Sequence, residues 1–347
     1  MPRLRTVSPS DPGISRRRQG RGFVYLDSGE RLTEPQAIER IKALVIPPAW
    51  EDVWVCRQAN GHIQAVGTDA AGRRQYLYHP QWRAKRDEAK HDRVLTVAAR
   101  LPKARERAAD DLARDGMPRE RVLATAFRLL DLGFFRIGGE SYAEQNGSYG
   151  LATITKDQVS IDDGQLVFDY TAKSGQERYV ALGDPELLEA VNILRRRRSG
   201  GSELLAYQAD RRWHDVTSDD INAYVKEVVG GEVSAKDFRT WHGTVLAAVA
   251  LAVSTNAAST PSSRKRAVAR AMREVADYLG NTPAVARGSY VDPRVVDLFE
   301  DGTTIEPALR RLGEDVAPGH PATHGAIERA VLRMLRGAPS ARRRAPR

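Results

Sequence analysis

The chain predicts an α+β protein in two parts: a small β-rich N-terminal domain, then a larger, mainly α-helical domain that carries one small antiparallel sheet. Three observations predict it. Over about residues 50–80, short β-branched and aromatic runs are parted by turn residues. From 81 to 131 the pattern changes to long charged helical runs, and one β-rich island at 150–182 interrupts the helices that follow. At 347 residues and 41% hydrophobic content, the chain can bury one sizeable core or two linked ones.

Residues 1–22 read as a basic flexible leader, because "SRRRQGRG" (15–22) is polar, glycine-punctuated and rich in one charge. The β-rich domain spans 23–90. It opens with "PQAIERIKALV" (35–45), a short helix with proline in its first turn. "DVWVCRQ", "HIQAVGT" and "RQYLYHP" then read as three strands separated by the turns "ANG" and "DAAG". The helical domain spans 91–336 and begins with "WRAKRDEAKHDRVLTVAARL" and "PRERVLATAFRLLDL". In the island, "DDG" and "KSGQ" are hairpin-turn chemistry between "QVSI", "QLVFDYTA" and "ERYVAL". Helices resume with "PELLEAVNILRRRR", "TSDDINAYVKEVVG", "HGTVLAAVALAV" and "RKRAVARAMREVADYLG". In the last of these Val268, Met272, Val275 and Leu279 share one face, and Gly280 is a C-terminal stop. Residues 337–347 read as a basic disordered tail.

Composition narrows the function. The 54 basic residues exceed the 45 acidic ones by nine, so the molecule is drawn to polyanions, nucleic acid first. The longest apolar runs fall short of the roughly 20 residues that cross a bilayer, and the Arg- and Pro-rich start has no apolar signal core. A soluble cytoplasmic protein is expected. The single cysteine, Cys56, excludes an intramolecular disulfide and a thiolate metal cluster, in keeping with a reducing compartment. Seven dispersed histidines make no metal-binding spacing, and no Gly-x4-Gly-Lys-Ser/Thr loop is present. "RIGGES" (136–141) lacks the strand-to-helix glycine pattern of a nucleotide loop. An enzyme acting on a polyanion here is therefore expected to use neither bound metal nor ATP.

Breaking a phosphodiester without metal needs a positioned nucleophile, cations on the non-bridging oxygens, and an acid for the departing oxygen. Arg136, after "LLDLGFF" and beside two glycines, and Arg239, between Phe238 and Trp241, are planar forks on anchored segments. Lys173 projects from a hairpin and is suited to protonating a 5′ oxygen. Tyr290, in "GSYVDP", is a candidate nucleophile. Each residue alone has an ordinary explanation: arginines beside aromatics commonly snorkel, hairpin lysines solubilise turns, and a tyrosine is commonly a half-buried anchor.

The order of the set goes further. Arg136, Lys173 on a hairpin, "KDFRTW" with Arg239, "LGN" ending a helix and Tyr290 nine residues after Asn281 resemble the type IB DNA topoisomerases of the poxvirus-type and bacterial branch. "GRRQYLYHPQW", "AKRDE", "RIGGESYAEQNGSYGLATI" and "LGNTPAVARGSYVDP" look like signature blocks of the bacterial branch, and the likeness runs over about residues 23–300.

The resemblance implies the catalytic fold shared by tyrosine recombinases and type IB topoisomerases. It also implies that Tyr290 forms a 3′-phosphotyrosyl intermediate on one strand of duplex DNA, which swivels and is religated. Arg136 and Arg239 would bind the phosphate, and Lys173 would protonate the leaving oxygen with Lys236 assisting. Asn281, where many relatives carry histidine, would donate a hydrogen bond without a charge. Arg73, Arg74, Gln75, Tyr76 and Tyr78 fall on the DNA-contacting strand of the small domain, and Tyr142 matches a backbone-contacting tyrosine. A monomer clamping nucleoid DNA, with no cofactor, is expected. Two alternatives stand at this point: a tyrosine recombinase, opposed by lysine in "KDFR" where histidine is usual, and a non-catalytic basic DNA-binding protein.

Overall fold

The computed structural model describes residues 3–139, 147–312 and 324–338. Tyr142 and residues 339–347 of the basic tail lie outside them. The chain divides into two compact units, Met1–Asp92 and Arg93–Arg347.

The first unit is built on an antiparallel sheet in the order β3-β2-β1-β4-β5-β6. Its strands are β1 Ile14–Gln19, β2 Gly22–Asp27, β3 Glu30–Arg31, β4 Glu51–Val55, β5 Ile63–Thr68 and β6 Arg74–Tyr78. Helix α1, Pro35–Ala43, adds Ile41 to a core of Ile14, Val53, Val55 and Ala65. The leader departs from expectation, because residues 14–19 are an inner strand paired with both β2 and β4. Ile14 is buried, and Arg16 lies over the Phe23 ring while donating to the carbonyl oxygens of Ile46, Pro47 and Trp50. A run of arginines can thus occupy a strand when the inward guanidinium finds acceptors and its neighbours stay in water.

Helix α2, Pro80–Leu112, begins in the first unit and ends in the second, continuing through Pro102 past the helix expected at 82–101. The core of the second unit surrounds α3 (Arg119–Gly133) and α6 (Ala235–Val253), which are buried on most faces, their buried polar residues, such as Asp131, Arg239 and His242, held by hydrogen bonds. Around them lie α4 (Pro185–Arg196), α5 (Ser218–Val229), α7 (Pro261–Leu279), α8 (Pro283–Ser289), α9 (Pro293–Glu300), α10 (Glu306–Leu312) and α11 (Gly325–Gly337).

The island at 150–182 is a sheet of β7 (Val159–Asp162), β8 (Gln165–Ala172) and β9 (Gln176–Leu182). Its first turn, Asp163-Gly164, has positive φ at both residues, 45° and 72°, which matches the twist of the flanking strands. A second hairpin, β10 (Ala206–Ala209) with β11 (Arg212–Asp215), was not expected from sequence. Its turn, Asp210-Arg211, has the same geometry without glycine, so the usual signal is missing. Among the described residues no helix is long and apolar enough to cross a membrane.

Candidate active site

Helix α7 ends at Gly280, whose left-handed backbone (φ 57°) lets the amides of Gly280 and Asn281 fold back onto the last turn. The final carbonyls of a helix have no partners of their own and carry the negative end of its dipole. No basic residue in the last turn of α7 answers them. Instead, three arginines from elsewhere do.

Arg178 on β9 donates to the carbonyls of Asp277 and Tyr278 at 3.0 and 2.8 Å. Arg239 on α6 donates to Leu279 at 2.6 Å and to the carbonyl of Phe134. Arg136, in the segment after α3, donates to the carbonyl of Gly280 and to Oδ1 of Asn281, both at 2.6 Å. Four consecutive carbonyls, 277–280, thus gather three guanidinium groups at one point.

Local sequence explains how two of these arginines are held. Phe134 caps α3 in the left-handed region (φ 55°), which turns its carbonyl toward Arg239. Arg136 is fixed by a backbone-to-backbone approach between two segments: the amides of Leu151 and Ala152 donate to Arg136 and Ile137 at 2.8 Å. Gly138 and Gly150 make this approach possible, since a Cβ on Gly150 would lie 2.4 Å from the Gly138 nitrogen. The glycines of "RIGG" therefore serve chain packing.

Tyr290 follows α8, which opens with Thr282 as N-cap and Pro283 at its first position. Its carbonyl accepts from the Thr244 hydroxyl on α6 at 3.2 Å, and the amide of Asp292 donates to the same hydroxyl at 3.0 Å. The Asp292-Pro293 pair, which looks like a breaker in sequence, is the N-cap and first residue of α9. Gly243 on α6 packs beside the tyrosine and Leu279: a Cβ there would touch Tyr290 Cβ at 3.5 Å, an ordinary contact, and crowd Leu279 at 3.2 Å. Tyr290 is half-buried, and the guanidinium of Arg239 lies 5.1 Å from its ring centroid.

The electrostatics follow from this packing. Burial pushes the Tyr290 hydroxyl up, but the positive charges of Arg239, Lys236 and Arg136 outweigh it, and the phenol falls below its ordinary value of 10. Burial lowers Arg136, and it lowers Arg239, 3% exposed, to about 10. Arg136 must face an acceptor, so the Asn281 amide presents Oδ1 to it, leaving Nδ2 as a buried donor without a partner among the described residues. A buried donor left unpaired costs about 1–3 kcal/mol, which favours a site that receives an anion's oxygen.

The structure thus brings together Arg136, Arg239, Asn281 and Tyr290, with Lys236 exposed in the first turn of α6 and close enough to act on the phenol. Lys173 lies outside that buried cluster, in the exposed turn between β8 and β9. Arg178 was not singled out from sequence. Strand alternation puts it on the more buried face of β9 with Val180 and Leu182, where an arginine reads as a snorkelling residue, and its partners are carbonyls that no sequence displays. The detectable signal was the last turn of α7, "ADYLG", which needs cations and supplies none.

A sequence profile described as the eukaryotic DNA topoisomerase I catalytic core matches residues 79–302. DNA topoisomerase 1B of Acanthamoeba polyphaga mimivirus is 31% identical over 299 residues, covering 83% of this chain and 88% of the viral one. The chain belongs to the type IB DNA topoisomerases. A profile for the N-terminal domain of bacterial DNA topoisomerase IB matches residues 22–69, which assigns the first unit to the same family. DNA topoisomerase I of monkeypox virus and DNA topoisomerase 1B of vaccinia virus (strain Copenhagen) are each 22% identical over 271 residues, 76% of this chain and 82% of theirs. Membership in this family decides against the recombinase alternative.

In this type IB topoisomerase chain, the catalytic-core match spans every residue of the cluster. In the first unit, β6 alternates: Tyr76 and Tyr78, 40% and 39% exposed, stack with ring centroids 5.9 Å apart, and Arg74 shares their face. Gln75 points the other way and donates to Asp69 at 2.9 Å. Backbone and side-chain donors of the exposed Arg73 also bind Asp69, and they lower its carboxyl to about 2.

Sequence reasoning also passed over a cluster behind Arg239. The buried carboxylate of Asp131 accepts from His242 and His324 at 3.0 Å each and from Arg105 at 2.7 and 3.1 Å. Arg105 also bridges to Glu328 at 2.6 Å, and Glu328 accepts from Trp241. Asp131, His242 and His324 have metal-ligand proximity. Their setting is that of an ion-pair network: the guanidinium of Arg105 already occupies both carboxylates. Among the described residues His242 Nδ1 is buried without the partner that a metal-bound imidazole requires.

Proposed function

We propose that this chain relaxes supercoiled duplex DNA through the Tyr290 phenol, as a monomer acting on nucleoid DNA in the cytoplasm, without ATP or metal. The phenol gives up its proton to solvent water, and its oxygen attacks a backbone phosphorus as the bond to the 5′ oxygen breaks. Lys173 gives its proton to that oxygen, with Lys236 assisting, and the strand ends as a 3′-phosphotyrosyl ester and a free 5′ hydroxyl. Religation runs the same steps backwards, so the phosphodiester is conserved and no energy source is consumed.

The observation that carries this reading is the half-buried Tyr290 against Arg239, with its hydroxyl below the ordinary value. Arg136, Arg239 and the unpaired Asn281 amide are the donors for the non-bridging oxygens, where charge grows in the transition state. Tyr76, Tyr78 and Arg74 on one face of β6, with Arg73 and Gln75 beside them, contact the duplex, and Tyr142 contacts its backbone. Binding weakens steeply with salt, because many phosphates are neutralised.

The test is relaxation of supercoiled plasmid in EDTA without ATP. Wild type relaxes both positive and negative supercoils, and Tyr290→Phe relaxes neither. An inactive wild type would overturn the reading, and an active variant would remove Tyr290 from its role.

A further inference from the structure

We propose that Arg178 is a positioning residue that locks the Lys173 hairpin to the Asn281 end of α7, so that the acid and the phosphate donors meet one phosphodiester as a unit. This rests on the function proposed above, in which Lys173 protonates the leaving oxygen. The two groups belong to different elements: Lys173 to the β8–β9 turn, Asn281 to the residue after the α7 stop. Proton transfer requires heavy atoms within hydrogen-bond reach, so an exposed turn needs something that fixes it relative to the site.

Arg178 is placed to do this. Its register partner across the hairpin is Tyr170, and Ala172 pairs with Gln176, so Arg178 lies in the ladder directly behind the Lys173 turn. Tyr170 is buried in the core, which anchors this end of the hairpin from below. From β9 the guanidinium spans two successive carbonyls, Asp277 and Tyr278, about 100 residues away in the chain. The fork holds direction as well as distance, which a single bond would not.

The stem is fixed too. Arg178 lies along Gly280, where an added Cβ would come 2.9 Å from Arg178 Cδ and 3.0 Å from its Nη1. Gly280 is the residue whose carbonyl Arg136 grips, and Asn281 follows it. Movement of Arg178 is therefore movement of the phosphate-binding end, and the hairpin cannot drift without breaking both bonds.

The experiment measures single-turnover cleavage of a duplex by wild type, Arg178→Ala, Arg178→Gln, Lys173→Ala and Arg178→Ala/Lys173→Ala, with DNA affinity and melting temperature alongside. Two substrates are used: the ordinary phosphodiester, and a 5′-bridging phosphorothiolate whose leaving group needs no proton. Arg178→Ala should cleave the ordinary bond about 10²-fold slower, the scale of a misplaced group, with DNA affinity held within a few-fold. The phosphorothiolate should recover most of that loss, and the double variant should be no slower than Lys173→Ala, because residues acting as a unit are not additive. Arg178→Gln, which keeps one donor, should fall between, and it carries the test if Arg178→Ala melts at the assay temperature.

A merely structural role would slow both substrates equally and lower the melting temperature in proportion. That result, a full rate in Arg178→Ala, or additive losses in the double variant, overturns the proposal while wild-type cleavage leaves the function standing. An inactive wild type would instead strike the function itself.

Discussion

Arg136 donates to the side-chain oxygen of Asn281 at 2.6 Å, and this one contact decides which end of the amide is offered to a phosphate. Asn281 then contributes a neutral donor, where the resemblance places a histidine in many relatives. Asn281→Ala removes one hydrogen bond to a charged group and should slow cleavage about 10- to 100-fold. Asn281→Asp keeps the acceptor for Arg136, loses the donor and adds a negative charge, so it should be slower than the alanine variant. Single-turnover cleavage rates check the order. An aspartate variant as fast as wild type would show that the donor is not used.

Arg239 and Tyr290 should be coupled through pH. The phenol lies below 10 because the neighbouring cations, Arg239 foremost, outweigh the effect of burial. Removing that charge raises the phenol, which must lose its proton to attack, so the limb on which the cleavage rate of Arg239→Ala rises with pH should move to higher pH. The rate itself should drop about 10²- to 10³-fold, as when a preorganised transition-state donor is lost. Arg239→Lys keeps a charge but not the fork, and should hold the limb near its wild-type position while remaining slow. Identical profiles for alanine and wild type would contradict the coupling.

Gly150→Ala tests how Arg136 is held. The added Cβ meets backbone atoms of Gly138 at 2.4 and 2.5 Å, so the two segments must part. Overpacking of this kind costs about 1–3 kcal/mol, and here it also displaces a phosphate donor. The variant should therefore lose far more relaxation activity than its melting temperature explains. Activity that simply tracks stability would argue against the link.

Acid should weaken the second unit through the Asp131 network. Burial raises the Asp131 carboxyl, but His324, His242 and Arg105 outweigh it and hold it well below its usual 3.8. A depressed carboxylate contributes stability that is full above about 3.8 and is lost as pH falls through the folded value. His242 is pushed below 6.5 by burial, so the unfolded chain takes its proton first, and stability already declines as pH drops below that value. Urea midpoints at pH 7, 5.5 and 4 should fall in that order. Asp131→Asn should cost about 3–5 kcal/mol at pH 7, and its further decline below about pH 4, where the wild-type carboxylate takes up its proton, should be shallower. A midpoint flat across this range would contradict the network.

Much of the local structure was legible in the sequence. Prolines marked helix starts at Pro35 and Pro185, and β-rich runs parted by turn residues marked β4, β5 and β6, whereas Asp292-Pro293 looked like a breaker and starts a helix. Two features were hidden for physical reasons. The arginine run of β1 looks solvated in composition, yet Arg16 finds carbonyls and a ring inside its unit. The β10–β11 turn holds Arg211 in a conformation that usually announces itself with glycine. At the site, Arg136, Arg239, Asn281 and Tyr290 were readable through their order and spacing. Arg178 and the Asp131 network were not, because backbone acceptors and contacts from 26 to 223 residues apart leave no local pattern.

The central claim is that the Tyr290 oxygen becomes bonded to DNA. The most direct measurement stops a cleavage reaction with denaturant, digests the adduct with trypsin and identifies both the peptide and the DNA end. The account predicts a 3′-phosphate on the peptide Gly288–Arg294, a free 5′ hydroxyl on the other fragment, and no adduct from Tyr290→Phe. An adduct on a 5′ end, on another peptide, or persisting in the phenylalanine variant would contradict it.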